Sequence, residues 1–257
     1  MLKKICCITV VLFTLINILS VNASAFDGEG WYVKRNGNKR PIAPVDDTFL
    51  QKYDAYYIDK KLTDESEKKT IYLTFDAGYE NGNVEKVLNI LKENNVPSAF
   101  FILDRMVLKH SDLLLRMVSE GHTVCNHTKN HKNVATMTAE EIKNNLYDLD
   151  RIYEEKTGNK MSPFFRFPEG RYSEEAIKTV KELGYKTVFW SLAYADWDNQ
   201  RQPDTEKSKK LLLDNTHNGA VILLHPTSDT NVQILDSLIK EWKARGYSFG
   251  TLDELVK

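Results

Sequence analysis

Several charged or titratable side chains of this sequence stand at the ends of short apolar segments. In chain order they are Asp76, His127, His131, Arg166, Asp196 and His225. Short apolar runs of this kind are typical of buried strands, and in parallel α/β proteins the reactive groups gather at the carboxyl ends of the strands. We therefore expect these side chains to share one site.

The two histidines in His127-Thr128-Lys129-Asn130-His131 have the spacing of metal ligands. On a helical turn, residues four apart lie on one face and are separated by about 6 Å along the axis, so both imidazoles can reach one ion. A histidine pair with this spacing is often no site at all. Its position directly after a strand favours the metal site.

Asp76 ends an apolar run and is followed by Ala77 and Gly78, where the glycine allows a sharp turn. Its carboxylate can serve as a general base or can cap the next helix, a role that Asn83 could also fill. Arg166, between two phenylalanines, requires a carboxylate partner if it is buried, because an unpaired buried charge is costly. We expect Asp76 to be that partner.

His225 ends the most apolar run of the chain. It is either a core histidine or, with Asp196 close by, an imidazole that the carboxylate keeps protonated. A protonated imidazole at the mouth of a strand could act as a general acid.

The elements that must position these residues alternate between strands and helices. The predicted strands are Thr70–Phe75, Ser98–Leu103, Thr123–Cys125, Phe164–Phe167, Thr187–Ser191, Ala220–Leu224 and Ser248–Thr251. Segments with helical periodicity fill the gaps, including one that starts in a capping box at Thr138 and ends at Gly158. Alternation of this kind predicts an α/β fold with parallel strands, either a doubly wound sheet or a barrel.

The amino terminus predicts export. Residues 1–25 combine two lysines, an apolar run and the triplet Ala23-Ser24-Ala25, the layout of a signal peptide cleaved after Ala25, although an uncleaved anchor is the alternative. We expect residues 26–68 to form an extension that wraps a catalytic domain at 69–257, with no stable membrane span after cleavage. The formal charge of −1 and the lack of a basic stripe argue against nucleic acid as a partner, and no feature requires more than a monomer.

These motifs resemble the polysaccharide deacetylases that carry the NodB homology domain, carbohydrate esterase family 4. The resemblance covers residues 70–255 and is specific because the motifs occur jointly and in the family's order. Thr74–Gly82, Phe189–Leu192 and Asp196-Trp197 are most similar to the branch called delta-lactam-biosynthetic de-N-acetylases. The resemblance implies a distorted (β/α) barrel, often of seven strands.

The resemblance also implies a role for each residue of the site. Asp76 matches the catalytic base, His127 and His131 the metal ligands, Arg166 the residue that orients the base, Asp196 the carboxylate that tunes the acid, His225 the acid, and Trp197 the wall of the sugar groove. A divalent ion, zinc by expectation, is implied as cofactor. Ala77 replaces the aspartate that is usually the third ligand, so the ion would bind more weakly, use Glu80 or Asn81, or complete its shell with water.

The implied reaction is removal of the acetyl group of N-acetylmuramic acid in the peptidoglycan glycan strand, leading to muramic delta-lactam in spore cortex. It would take place outside the cytoplasmic membrane, in the cell wall or the forespore intermembrane space. Backbone N–H groups of Glu169, Gly170 and Arg171 are expected to contact the substrate and stabilise the oxyanion. Arg171 or Lys129 could meet the lactyl carboxylate, but the sequence favours a solvated surface charge for each of them.

Three alternative functions remain open. A deacetylase of N-acetylglucosamine polymers would differ only in the groove. A glycosidase could use Asp76 and Asp196 as its two carboxylates without a metal. A non-catalytic peptidoglycan-binding module is suggested by Ala77, but a base and an acid in one chain argue against it, since binding needs neither.

Overall fold

The computed structural model describes residues 28–257, so the predicted signal peptide lies outside the described residues. Its strands are β1 (Glu29–Gly30), β2 (Lys34–Asn36), β3 (Lys39–Ile42), β4 (Ala55–Tyr56), β5 (Lys69–Ala77), β6 (Ala99–Ile102), β7 (Thr123–Asn126), β8 (Ser162–Phe165), β9 (Arg171–Tyr172), β10 (Lys186–Val188), β11 (Val221–Leu224) and β12 (Tyr247–Phe249). Its helices are α1 (Asp47–Lys52), α2 (Val84–Asn94), α3 (Asp104–Lys109), α4 (Ser111–Ser119), α5 (Ala139–Thr157), α6 (Glu174–Glu182), α7 (Thr205–Asn215), α8 (Asp229–Ala244) and α9 (Leu252–Leu255).

The main sheet is parallel and curls into a distorted barrel. Its strands run in the order β11-β5-β6-β7-β8-β10-β4. Two isolated bridges, Ile58 with Ala220 and Leu192 with Ile222, connect the segments that follow β4 and β10 to β11 and so bring the two edges together. The predicted barrel-type α/β fold of seven strands is confirmed.

The seven strands of the barrel differ from the seven predicted strands in one place, and the short strands β1, β2, β3 and β9 lie outside the barrel. The last predicted strand, β12, pairs only with the start of β5 and lies off the main path of the sheet. The seventh strand of the barrel is instead β4, which comes from the predicted extension and pairs in parallel with β10. A strand of two residues, Ala55–Tyr56, carries no periodicity that the sequence could reveal.

The alternation of side chains along the strands decides which residues face the barrel interior. Along β5, Ile71, Leu73 and Phe75 pack in the cluster beneath the outer helices. Tyr72 belongs to a separate cluster built from neighbouring strands, with Ala99, Phe101, Cys125, Phe164, Val188 and Val221. This second cluster is the inside of the barrel, and by the same alternation Thr74 and Asp76 also point inward.

Helix termini explain where the outer layer begins and ends. Thr138 and Glu141 form the predicted capping box at the start of α5, and Gly158 ends that helix in the left-handed conformation. Asn83 occupies the N-cap position of α2, but its side chain makes no capping hydrogen bond, and the Glu80 carboxylate accepts the N–H of Val84 instead. In residues 28–257, no helix is both long enough and apolar enough to cross a membrane.

The segment before β4 is attached to the mouth of the barrel. β1 pairs antiparallel with β9, and the Trp31 N–H donates to the Gly170 carbonyl at 2.9 Å. The Trp31 ring stacks on Phe189 with centroids 4.2 Å apart, and its indole N–H donates to the Trp190 carbonyl at 2.9 Å. These contacts make the amino-terminal segment part of the same body as the barrel.

Candidate active site

The Asp76 carboxylate and the Arg166 guanidinium form the predicted ion pair at the carboxyl ends of β5 and β8. Arg166 Nη1 lies 2.8 Å from Asp76 Oδ1. The guanidinium is fully buried and donates further to the Val188 carbonyl at 2.9 Å and to Thr74 Oγ1 at 2.9 Å. Its face also packs on the Phe101 ring, 4.1 Å from the centroid. These partners fix the position of the Arg166 guanidinium, and the guanidinium in turn fixes the orientation of the Asp76 carboxylate.

Asp76 is held in its ionised form. Burial by itself would raise the pKa of this carboxyl, but the positive charge of Arg166, with smaller contributions from His127 and His225, lowers the pKa below its ordinary value. An ionised carboxylate with one oxygen fixed by Arg166 can accept a proton through the other oxygen.

His127 presents a neutral imidazole to Asp76. Its Nδ1–H donates to the Arg166 carbonyl at 2.9 Å, which leaves the lone pair on Nε2, 3.5 Å from Asp76 Oδ2. Burial lowers the pKa of His127 to about 4. The second nitrogen is therefore available as a ligand or acceptor at neutral pH.

His131 lies beside His127, but not on a helical turn. The predicted helix over 127–131 is wrong: the segment after β7 is an irregular loop in which Thr128 and His131 have positive φ angles of 74° and 58°. Hydrogen bonds from side chains replace the helical ones, since Asn126 Oδ1 accepts the Thr128 N–H and Thr128 Oγ1 accepts the His131 N–H. The two imidazole rings nevertheless come together, with centroids 5.1 Å apart.

The chemistry of the donors at this point fits a divalent ion that has two protein nitrogens. His127 is neutral, its tautomer is fixed by the Arg166 carbonyl, and His131 is adjacent and exposed. Across residues 28–257, no group of three histidine, cysteine, aspartate or glutamate side chains is arranged to hold a metal.

The alternative third ligands have other partners. The Glu80 carboxylate accepts the N–H groups of Gly82 and Val84, and the Asn81 amide donates to the Thr227 carbonyl. These bonds connect the loop to α2 and to the segment before α8. An ion at the histidine pair would therefore depend on water for its remaining positions.

Asp196 and His225 form the second predicted pair. His225 Nδ1 lies 2.8 Å from Asp196 Oδ1, and the His225 backbone N–H donates to Asp196 Oδ2 at 2.8 Å. Burial would lower the pKa of His225, but the Asp196 carboxylate outweighs burial and raises it. A protonated His225 carries its second N–H on Nε2, where it can act as an acid.

Asn231, on α8, supports this pair and was not predicted from the sequence. Its amide donates to Asp196 Oδ2 at 2.6 Å and to the His225 carbonyl at 2.9 Å, while its own oxygen accepts from the Tyr194 hydroxyl at 2.5 Å. Asn231 is fully buried. The one available signal was its place three residues after Ser228, the residue that caps α8.

Asp76, His127, His131 and His225 open into one cavity of about 880 Å³. Trp197 lines it as predicted, with its side chain 62% exposed and its ring 6.4 Å from that of His225. Volumes of roughly 300–1,000 Å³ are usual for small-molecule sites. Asp196 does not line the cavity and is fully buried behind His225, so it cannot serve as the second carboxylate of a glycosidase.

The turn at Pro168–Gly170 forms one wall of the cavity. Glu169 and Gly170 line it, whereas Arg171 does not and pairs with Glu169 at 3.2 Å. The N–H groups of Gly170 and Arg171 donate to the carbonyls of Phe167 and Pro168, so of the predicted oxyanion donors only the Glu169 N–H has no partner in the described part of the chain.

The backbone conformation of this turn explains why residue 170 is a glycine, and it places Glu169 in a strained conformation. A Cβ at position 170 would lie 2.7 Å from the Trp190 ring, and Gly170 has a φ of 66°. Glu169 has a φ of 56°, a left-handed conformation that is costly for a residue with a side chain. Glu169 is thus both the strained residue of the turn and the one whose N–H has no acceptor within residues 28–257.

Comparison with known proteins gives relatives over most of the chain. Residues 63–188 match the model of the polysaccharide deacetylase family. The peptidoglycan-N-acetylmuramic acid deacetylase PdaA of Bacillus subtilis is 37% identical over 228 residues, which cover 88% of this chain and 85% of that protein. A peptidoglycan-N-acetylglucosamine deacetylase of Bacillus cereus is 31% identical over 195 residues, covering 74% of this chain and 89% of that protein.

The fold is likewise similar to solved structures. The structure of Bacillus subtilis PdaA, described as a family 4 carbohydrate esterase, superposes with a TM-score of 0.81 at 36% identity. The match covers 89% of this chain and 95% of that one.

Proposed function

Because the chain belongs to the polysaccharide deacetylase family, we propose that it hydrolyses the N-acetyl group of N-acetylmuramic acid in peptidoglycan. The observation that carries this proposal is that one cavity contains both a base and an acid, Asp76 held ionised by Arg166 and His225 held protonated by Asp196. The similarity to an N-acetylmuramic acid deacetylase over most of both chains supports the substrate.

Asp76 is the base of the proposed reaction. Its carboxylate takes a proton from a water molecule, and the water oxygen attacks the acetamide carbonyl carbon. Arg166 occupies Oδ1 at 2.8 Å, so Oδ2 is the oxygen that receives the proton. The lowered pKa keeps Asp76 ready to accept that proton at neutral pH.

The Glu169 N–H is the backbone donor for the oxyanion. It belongs to the wall of the cavity and has no other acceptor among the residues described. A preorganised donor of this type stabilises the negative charge that develops on the carbonyl oxygen, with a typical effect of about 10²–10³ in kcat.

His225 completes the reaction as the acid. As the carbon–nitrogen bond breaks, its Nε2–H protonates the leaving nitrogen, so that the products are acetate and a free amino sugar. Asp196 stabilises the imidazolium before transfer and fixes the ring through Nδ1. The proton that Asp76 gained is released to solvent, and His225 is protonated again.

His127 and His131 would hold a divalent ion, with zinc the expected metal. When bound, the ion supplies Lewis-acid polarisation of the carbonyl and lowers the pKa of water. Deacetylases of this family are generally metal-dependent.

The wider setting of the reaction follows from the substrate. Peptidoglycan lies outside the cytoplasmic membrane, so we place the enzyme at the cell wall or in the forespore intermembrane space, exported by a signal peptide and acting as a monomer. An amine released beside the lactyl carboxylate of muramic acid can close to the delta-lactam of spore cortex. Deacetylation of N-acetylglucosamine is the second candidate, favoured by the 31% identical Bacillus cereus relative.

The test is acetate release from purified peptidoglycan and from peptide-free glycan strands, with and without a chelator. The unaltered protein is compared with Asp76→Ala and with Asp148→Asn, which removes an exposed carboxylate paired to Lys129 outside the cavity. We expect chelator-sensitive release that is lost in Asp76→Ala and retained in Asp148→Asn. Glycan binding without acetate release by the unaltered protein would instead identify a binding module.

A further inference from the structure

The amino-terminal segment brings one arginine to the mouth of the active-site cavity. Arg35, on β2, lines the cavity together with Asp76 and His225. Its Nη2–H donates to the Ala193 carbonyl at 2.8 Å. Ala193 is close in sequence to Asp196, so the guanidinium is attached to the same segment that carries the partner of the acid.

Arg35 supplies a permanent positive charge, whereas His225 gives up its proton in the proposed reaction. Among residues 28–257 it is the sole lysine or arginine lining the cavity. The two cations predicted for a lactyl carboxylate lie elsewhere, since Lys129 pairs with Asp148 at 2.8 Å and Arg171 pairs with Glu169 at 3.2 Å, both outside the lining.

The charge of Arg35 is not compensated by a carboxylate of the described chain. Its hydrogen-bond partner is the neutral Ala193 carbonyl, and no ion pair involves Arg35 within residues 28–257. The carboxylates of the cavity already have cationic partners, since Asp76 pairs with Arg166 and Glu169 pairs with Arg171. A guanidinium has five N–H donors, so several remain for an anionic ligand.

Arg35 also stands between two cavities. A smaller one of about 400 Å³ is lined by Trp31, Tyr32, Val33, Arg35, Trp190 and Ala193, and it shares the last three of these with the main cavity. The exposed Tyr32 and the Trp190 side chain give this space aromatic surface suited to a sugar face. A group bound to Arg35 would therefore be adjacent to the reacting sugar.

We propose that Arg35 binds the free lactyl carboxylate of the muramic acid being deacetylated and selects this sugar over N-acetylglucosamine. The lactyl ether is attached to the ring carbon next to the one that bears the acetamide, so the carboxylate projects from the reacting sugar itself. A planar guanidinium matches a carboxylate with two parallel hydrogen bonds. This assignment rests on the proposed deacetylation and names the residue that sets its substrate.

A chemical consequence follows for the state of the glycan. A stem peptide converts the lactyl carboxylate to an amide and removes its charge. Arg35 therefore favours strands whose lactyl carboxylate is free.

The experiment compares Arg35→Gln with Lys34→Gln, a neighbouring change on β2 that removes a charge outside both cavities. Glutamine at position 35 keeps an N–H donor for the Ala193 carbonyl while losing the positive charge. Each protein is assayed for acetate release on peptide-free muramic-acid-containing strands, on the same strands as lactyl methyl esters, and on a chitin tetramer. Calorimetric binding of the free-acid and ester strands is measured in parallel.

We expect the unaltered protein and Lys34→Gln to show a KM about tenfold lower for the free acid than for the ester, the size of one charge-assisted hydrogen bond. Arg35→Gln should abolish that difference by raising the KM for the free acid to the KM for the ester. Arg35→Gln that keeps the preference, or an unaltered protein that has none, would overturn the role of Arg35 while leaving deacetylation intact. If no protein releases acetate, the proposed function fails. The Arg35 assignment is then decided by calorimetry: it holds if the unaltered protein binds the free-acid strands more tightly than the ester strands and Arg35→Gln does not, and it fails otherwise.

Discussion

Both oxygens of Asp196 are occupied by His225: Oδ1 accepts from the imidazole Nδ1 at 2.8 Å and Oδ2 accepts from the backbone N–H at 2.8 Å. The carboxylate thus fixes the position of the residue as well as the proton of the ring. Asp196 has no contact with the cavity, so any effect of it on substrate must pass through His225.

Asp196→Asn should shift the pH dependence of kcat. The pKa of His225 is raised in the folded protein, so the acid is present at low pH and is lost as pH rises through that pKa. Without the carboxylate, burial lowers the pKa, and we expect the basic limb to move to lower pH and kcat at neutral pH to fall about a hundredfold. A pH–rate profile measures both effects, and an unchanged basic limb would remove His225 from the role of acid.

Asn231→Ala should reduce kcat more than it changes KM. Asp196 loses the amide donor at 2.6 Å, and the Tyr194 hydroxyl loses its acceptor. We expect a loss of stability of about 1–3 kcal/mol because buried polar atoms are left unpaired, together with a shift of the basic limb because Asp196 loses a donor to Oδ2.

Asn94→Ala is the matched control for Asn231→Ala. The Asn94 amide donates to Asp236 Oδ1 at 3.0 Å, away from the cavity. We expect it to change the unfolding midpoint and leave the pH profile as it is. If Asn231→Ala behaves in the same way, Asn231 is structural only.

Arg166→Met should destabilise the fold at pH 7. The substitution leaves Asp76 buried and without its cation, a change that costs about 3–5 kcal/mol when one partner of a buried pair is removed. Arg151→Met is the control, because the Arg151 pair with Glu155 is exposed and such pairs contribute about 0–1 kcal/mol. Urea unfolding measures the two variants side by side.

The cost of Arg166→Met should also depend on pH. The pKa of Asp76 is lowered in the folded protein, so the stability from the pair is present above the pKa of the unfolded chain and is lost as pH falls through the folded value. The difference between Arg166→Met and the unaltered protein should therefore become smaller on acidification. A difference that is constant with pH would mean that packing on Phe101, rather than charge, accounts for the loss.

His131→Ala should weaken metal binding without unfolding the protein. His131 is exposed, and its loss leaves one imidazole for the ion. We expect the apparent zinc affinity, measured by competition with a chromophoric chelator, to fall at least about tenfold. Losses of this size are typical when a residue that supports a metal site is removed. An unchanged affinity would place the ion elsewhere. His110→Ala, outside the cavity lining, is the control.

The sequence predicted the site better than it predicted the loops around it. Asp76 and Arg166 could be paired because each ends an apolar strand and because a buried charge needs a partner. The helical turn at His127 was wrong, since the bonds from Asn126 and Thr128 to the backbone depend on local geometry that spacing does not contain. Lys129 and Arg171 stand beside the motifs in sequence, but neither lines the cavity.

Residues that reach the site from distant parts of the chain were beyond sequence reasoning. Arg35 meets Ala193 across 158 positions, and Asn231 meets Asp196 across 35. Neither contact leaves a periodic pattern or a short motif. Only the curvature of the sheet brings these segments together.

The pairing of β4 with β10 has a consequence for how the chain is made. Trp31 and its acceptor at Trp190 are 159 positions apart, and Tyr56 pairs with Val188, so the first strand of the barrel to leave the ribosome waits for one of the last. Contacts between such distant positions slow folding because a long loop must close first. A chain whose barrel cannot close until most of it has been synthesised remains open for longer, which is compatible with the export proposed above.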